Sequence, residues 1–405
     1  MTTSRPTYSG PRWNPRPLFA RPDRAALDSS LFAYGADSAS GYSSQGDVLV
    51  SETADGVDLN KIWDEAARVM AEWNKRRSAL SSLISYSTVN VGDAISQAPG
   101  GDNFEEASEF GEPHGLRAAP DALILGYSLR DWDLASRFTW KFLRSATAEQ
   151  VRSVINRAFE ADNRLTTGTL LRRLFDPTEG LNEFAHKVYG LYTGADGITP
   201  PPYAGQTFPS TTSHYLVSGA AAIDPGDLLD GVTAVRSKGF GLDATSRLLV
   251  LCHPAESEEI ATWRRGEESN GVTSKFDFIP SQSAPAYLTT ENVVGKVAPG
   301  EFAGLEVLGS WGPAWVVPSY DLPQGYIAVV ATGGPNSPKN PVAFRQHSNP
   351  AYTGLRIIPG RDQRYPLQDS FFQRSFGVGV RYRGAACVVK IAAAGGYTAP
   401  TWTWS

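Results

Sequence analysis

Apolar residues recur at three- and four-residue spacings along the stretch 145–177: Ala148, Val151, Val154, Ile155, Ala158, Phe159, Ala161 and Leu165. They form one stripe of an α-helix, interrupted only by Asp162. Ser153, Arg157, Glu160 and Arg164 fall on the opposite face, which meets water or a polar partner. Thr147 with Gln150 predicts a capping box at its start, and Thr147→Ala should cost roughly 1 kcal/mol of helix stability. Gly168 weakens the far end, and Pro177 stops any continuation through Leu170, Leu171 and Leu174. A second amphipathic stripe, Leu59, Ile62, Trp63, Ala66, Val69, Met70 and Trp73, follows Asp58 as N-cap, and the helical pattern extends to Leu83. Lys75, Arg76 and Arg77 suit the dipole at its end. A third helix is signalled by Asp224 as N-cap, Pro225 at the first position, Leu228, Leu229, Val232 and Val235, with Gly239 ending it. Leu181–Leu191 reads as a short helix.

Alternation predicts the strands. Leu123, Leu125, Tyr127 and Leu129 alternate before Asp131–Trp132–Asp133, where a helix cap or turn is expected. Arg247–Cys252 reads as a buried strand, followed by His253–Pro254 and a charged helix to about Trp263. Further strands are expected at Phe302–Leu308, Ala314–Val317, Tyr326–Thr332, Pro341–Arg345, Gly354–Pro359 and through Phe371–Ile391. In that last run Phe376, Val378, Val380 and Tyr382 share one face, Arg381 and Arg383 the other, and Gly384 permits a bend. Strand, helix and strand over 205–332 predict an α/β unit. Val89–Tyr127 is least core-like, with Pro99–Gly100–Gly101 and the acidic run Glu105–Glu112 between strand-capable segments. It reads as a projecting β-hairpin whose long loop either has a partner or is an ordinary solvated acidic loop.

Composition narrows the class. The chain has 405 residues, of which 41% are hydrophobic and 20% charged, the balance of a folded protein. A net charge of -5 argues against a dedicated nucleic-acid binder, since that task needs a basic surface. Weak contact through a local basic patch remains open. Residues 1–57, rich in Ser, Gly, Pro and Arg with Trp13, Phe19, Phe32 and Tyr34, cannot build a core; they read as a tail or an extended arm. No secretory signal is visible, and apolar runs are too short to span a bilayer, so no membrane partner is expected. Two cysteines, Cys252 and Cys387, make neither a disulfide framework nor a metal pattern, which fits a cytosolic birthplace.

No enzyme motif survives inspection. There is no G-x-S-x-G elbow, no phosphate loop and no intact G-x-G-x-x-G. His114, His186, His214, His253 and His347 lack metal-ligand spacing, so no metal or cofactor is expected. Cys252 beside His253 imitates a dyad, yet on one strand their side chains point to opposite faces. Asp131 and Asp133 on a strand would share a side, as an acid/base pair requires. A cytosolic hydrolase using Cys252 or this aspartate pair is the rival reading from another class.

The end of the chain carries a resemblance. Tyr365–Pro366–Leu367, Phe371–Phe372 and Arg374–Ala386 (RSFGVGVRYRGAA) resemble the closing segment of tailed-phage major capsid proteins. Those proteins have the shell fold named after a Hong Kong phage, which bacterial encapsulins share. Leu322–Ile327 with Gly334–Ser337 is similar to the strand and loop before it, and the order of parts agrees along nearly the whole length. The resemblance implies an α+β architecture with an N-terminal arm (1–88) and an extended β-hairpin loop (89–144). A peripheral domain with a long spine helix (145–204 and 341–384) and an axial α/β domain (205–340 and 385–405) complete it. Function is then self-assembly, as pentamers and hexamers, into an icosahedral shell around packaged double-stranded DNA. Portal and scaffolding proteins, and a decoration protein in some relatives, are the implied partners. An encapsulin-like shell around protein cargo is the alternative within the fold.

On this reading Glu105, Glu106, Glu109, Phe110 and Glu112 of the loop reach a neighbouring subunit. Arg345, Arg381 and Arg383 are the expected basic partners, while Trp63 and Trp73 pack the arm helix. Some relatives weld subunits through a loop lysine, but no lysine lies between Lys75 and Lys141, so no weld is expected. The arm lacks a long charged helical leader, so no proteolytic removal of an N-terminal segment is expected either.

Overall fold

In the computed structural model the stripe at 145–177 becomes one helix, Ala148–Phe175, and the Thr147 amide donates to Gln150 Oε1 at 3.0 Å as its cap requires. Gly168 does not end it. Thr166, Thr167 and Gly168 are buried small residues that let a second helix approach, with Ser78 Oγ 2.9 Å from Thr167 Oγ1. Tertiary packing here outweighs the low helix propensity of glycine and threonine. The structure describes residues 52–75, 77–96, 106, 111, 122–194, 197, 199–204, 206–282, 297–358 and 367–402.

In chain order, α1 (Leu59–Trp73) and α2 (Ala79–Ile84) lead into β1 (Ser85–Thr88), β2 (Gly92–Ser96), β3 (Ala122–Gly126) and β4 (Arg130–Thr139). A short α3 (Trp140–Leu143) precedes the long helix, α4 (Ala148–Phe175). Then come β5 (Gly180–Leu181), β6 (Lys187–Val188), β7 (Tyr215–Val217), α5 (Pro225–Arg236), β8 (Arg247–Cys252) and α6 (Pro254–Ala261). Two-residue ribbons β9 (Glu268–Ser269) with β10 (Val272–Thr273), and β12 (Glu301–Phe302) with β13 (Leu305–Glu306), flank β11 (Phe278–Pro280). The chain continues through β14 (Gly309–Trp311), β15 (Ala314–Pro318), β16 (Tyr326–Thr332), β17 (Val342–Gln346), β18 (Leu355–Ile358), β19 (Leu367–Val380) and β20 (Ala386–Lys390).

Two sheets organise these strands. The first runs β1-β17-β19-β18, with β4 also paired along β19 from Leu367↔Thr139 to Phe376↔Arg130. The second runs β11-β14-β15-β8-β16-β20-β7, and its central strands β8, β16 and β20 are apolar on both faces, as a fully covered sheet demands. Helix α4 lies against the first sheet. Its N-terminal half packs Val151, Ile155, Ala158 and Phe159 with α1, Leu355 and Phe372. Its C-terminal half joins Leu170, Leu171, Leu174 and Phe175 to the core shared by both sheets. Helix α5 covers the second sheet with Leu228, Val232 and Val235. Its N-cap is the one foreseen, with the Asp227 amide donating to Asp224 Oδ1 at 3.0 Å.

Four expectations need correction. Phe302–Leu308 is not one strand, because Ala303 and Gly304 take positive φ of 51° and 89° and fold it into the β12–β13 ribbon. The helical pattern from Asp58 to Leu83 breaks after Trp73 into α1 and α2, the second capped anew by Ser78. Leu181–Leu191 forms no helix; β5 and β6 make a small antiparallel ribbon. Asn182 Oδ1 accepts the amides of Phe184 at 2.9 Å and His186 at 2.8 Å, and Ala185 takes a positive φ of 61°, so a side-chain-stabilised turn replaces the helical one. Asp131 and Asp133 lie within strand β4, near its start, not at a cap or turn, because the ten-residue pairing with β19 extends the backbone there.

Candidate assembly surfaces

The loop 97–121 is flanked by two strands that form the base of a ribbon. Strands β2 and β3 pair from Gly92↔Gly126 to Ser96↔Ala122. Residues 126–129 then cross over β19 so closely that β19 carries glycine at both crossing points. A Cβ on Gly377 would overlap the Ser128 carbonyl, and one on Gly379 would lie 2.6 Å from the Tyr127 ring. Ser128 completes the clasp, with Oγ donating to the Val378 carbonyl at 2.9 Å.

Three arginines hold this root within one chain. Arg345, buried, donates from Nη1 to the Tyr127 carbonyl at 2.9 Å and pairs through Nη2 with Glu183 Oε1 at 2.6 Å. Arg381 pairs with Asp93 of β2, which also accepts from the Tyr127 hydroxyl and from Asn90 Nδ2. Arg383 is buried between Tyr189 and Tyr192, at 4.8 and 5.4 Å from their ring centroids, and its Nε donates to the Gly190 carbonyl at 3.2 Å. Burial lowers Arg383 to about 10. Expected as partners of a neighbour's acids, all three side chains have partners within their own chain. Of the loop residues named with them, Glu106 is exposed, and Glu105, Glu109, Phe110 and Glu112 lie outside the described residues.

The arm helix α1 is seated by its two tryptophans. Trp63 tilts against Phe138 at 6.3 Å between centroids, and Trp73 against Phe159 at 5.3 Å. Trp73 Nε1 also donates to Asp162 Oδ2 at 2.9 Å. That carboxylate is the one polar interruption in the α4 stripe, and it pairs with Arg374 of β19, both side chains buried. Burial pushes Asp162 up and Arg374 down, opposing their mutual attraction. Arg77 lies beside Arg374, its guanidinium 4.9 Å from the Phe344 centroid, and burial lowers it to about 10. This polar node joins arm, helix and sheet. Its sequence signal was the misplaced Asp162; its arginine partner, 212 residues away, had none.

Groups proposed for hydrolysis find other work. Cys252 is buried and its thiol is pushed up by burial. His253 Nδ1 accepts the Ala255 amide at 3.3 Å as the N-cap of α6. Asp131 accepts from the Ser375 hydroxyl across the strand pair. Among the described residues no group of three or more His, Cys, Asp or Glu side chains is placed to hold a metal ion, and no helix is long and apolar enough to cross a membrane.

A solved structure from Mycobacterium phage Patience matches with a TM-score of 0.68 and 37% sequence identity, covering 89% of this chain and 95% of that one. The chain belongs to the tailed-phage major capsid proteins that share the Hong Kong phage shell fold. More distant matches are the capsid of an empty GTA particle computed with C5 symmetry (TM-score 0.45, 13% identity, 78% of this chain and 91% of that one) and the holo-SrpI encapsulin complex from Synechococcus elongatus PCC 7942 (TM-score 0.41, 14% identity, 79% and 89%). No family model matches the sequence, and no curated protein matches it.

Proposed function

We propose that copies of this chain gather as pentamers and hexamers, close into an icosahedral shell and enclose packaged double-stranded DNA, assembling in the host cytoplasm. The observation that carries this is the 37% identity to the Patience protein, sustained over 89% of the chain. Residues 1–88 act as the arm, 89–144 as the extended loop, 145–204 with 341–384 as the peripheral domain, and 205–340 with 385–405 as the axial domain around the symmetry axes. Glu105, Glu106, Glu109, Phe110 and Glu112 contact a neighbouring subunit. Each contact is modest and reversible, and ring closure multiplies them. DNA is held by weak non-specific contact, in keeping with the acidic net charge. A portal protein and a scaffold join during assembly, and a decoration protein is a further partner class.

Electron microscopy of the purified chain tests the reading directly: closed shells are expected, and small monodisperse particles would refute it. Nuclease-protected DNA recovered from mature particles separates DNA packaging from protein-cargo storage. Because the loop has no lysine to donate, subunits should run as a single band on a fully denaturing gel, and a covalent ladder would contradict this.

A further inference from the structure

Beyond β20 the chain does not leave the second sheet but folds back across its end. The Ile391 amide donates to the Gly325 carbonyl at 2.9 Å and the Ala392 amide to Ser218 Oγ at 3.1 Å. Gly395, with a φ of 97°, then turns the chain, a conformation that a side chain would oppose. Thr398 returns beside the strand ends: its Oγ1 accepts from Lys390 Nζ and its carbonyl from the Tyr326 hydroxyl, both at 2.9 Å. The residues around it reach the end of α4. The last four carbonyls of an α-helix have no partner within the helix. Here the Tyr397 hydroxyl donates to the Phe175 carbonyl at 2.6 Å, and the Tyr215 hydroxyl of β7 lies 3.1 Å from both the Leu174 and the Asp176 carbonyls. The two tyrosine rings lie 4.8 Å apart, and Trp402 stands perpendicular to Phe175 with centroids 5.8 Å apart. One helix end is thus held by two hydroxyls, one from the sheet and one from the returning chain.

We propose that residues 397–402 are a strap that ties the end of α4 to the second sheet and fixes the angle between the two sheets, so that copies of the chain close with a single curvature. The inference rests on the shell reading. The apolar core beneath the C-terminal half of α4 supplies burial, which has no preferred direction. Hydrogen bonds to the last carbonyls of the helix are directional, and an aromatic contact at the same point resists rotation. Phe175 sits where these meet: it is fully buried, belongs to α4, and touches Tyr326 of β16 as well as Trp402. Without the strap its carbonyl loses a donor and its ring loses one wall. A closed shell repeats one subunit geometry many times, so a small freedom in each copy becomes a spread of sizes.

Spin labels read the angle directly. Ser153→Cys on α4 and Glu258→Cys on α6 place them at exposed positions, one on the helix of the first sheet and one on a helix packed against the second. Cys252 and Cys387 are buried and take no label. In the unassembled subunit, Tyr397→Phe with Trp402→Ala, and separately a chain ending at Gly395, should each broaden the label-to-label distance distribution about twofold or more. Far-ultraviolet circular dichroism matching wild type shows that the helices and strands are retained, and if the shortened chain does not fold, the double variant decides. Electron microscopy of the same variants should show a spread of shell diameters about twofold wider, or open sheets in place of closed shells. A distance distribution as narrow as wild type overturns the strap. A broadened distribution with shells of wild-type uniformity overturns its part in curvature and leaves the shell function standing. A wild-type chain that forms no shells defeats the shell reading, while the label distances still decide the strap.

Discussion

Acidifying the subunit should expose the energetic cost of His214. This side chain is 2% exposed, its Nδ1 lies 2.9 Å from the Ala386 carbonyl, and its ring stacks on Phe208 with centroids 5.9 Å apart. Burial is the main cause lowering its pKa from 6.5 to about 4, with Lys238 adding to the same direction. The folded chain therefore keeps His214 neutral where the unfolded chain takes up a proton. The stability involved is fully present above the unfolded value and is lost as pH falls toward the folded one. Linkage over that window puts the loss between pH 7 and pH 5 at about 2 kcal/mol, and the full span at about 3 kcal/mol. Urea unfolding of the unassembled subunit, followed by tryptophan fluorescence at pH 7 and pH 5, measures it against His214→Asn. That variant keeps a donor for Ala386 and removes the titration, so its stability should fall by about 2 kcal/mol less than wild type over the same interval. Equal losses in the two proteins would show that His214 is not held neutral, and the burial argument would fail.

Three further perturbations probe the joints of the fold. Gly377→Ala drives a methyl group into the Ser128 carbonyl where the chain crosses β19, so thermal unfolding should show a loss of about 3 kcal/mol or no soluble subunit at all. Asp162→Ala leaves Arg374 buried without its counter-ion and should cost about 3–5 kcal/mol in urea, whereas Asp162→Leu with Arg374→Met should recover most of that. Asn340 is fully buried, accepts from Thr332 Oγ1 and the Gly333 amide, and donates to the carbonyls of Ser82, Ser85 and Gly334 at 3.0–3.1 Å. Asn340→Ala therefore orphans groups on both sides of the arm–sheet junction and should lower stability by about 3 kcal/mol, read from the shift in urea midpoint.

What was legible in the sequence was what a single element encodes about itself. The caps at Thr147 and Asp224, the α4 stripe, and the strands Arg247–Cys252 and Tyr326–Thr332 are local patterns, and the structure follows them. Leu181–Leu191 misled because Leu181, Phe184, Val188 and Leu191 have helical spacing, while the deciding interaction was one asparagine side chain bonding its own turn. Asp131 and Asp133 misled for the opposite reason: their conformation is imposed by a strand more than 230 residues later. Arg345, Arg381 and Arg383 were expected to meet a neighbour's acids, and Arg381 and Arg383 lie just past the strand end at Val380. Their partners Glu183, Asp93 and the tyrosine cradle are distant in sequence, so no spacing rule connects them.

The strand Ser85–Thr88 runs parallel to β17, from Ser85↔Val342 to Thr88↔Arg345. Engineering of the amino-terminal region therefore has a sharp boundary. A deletion carried through Thr88 strips an edge from the first sheet and bares Val342 and Phe344, now buried, to solvent. Such a truncation trades a shorter leader for a sticky seam, and its signature will be amorphous aggregate in place of soluble subunit.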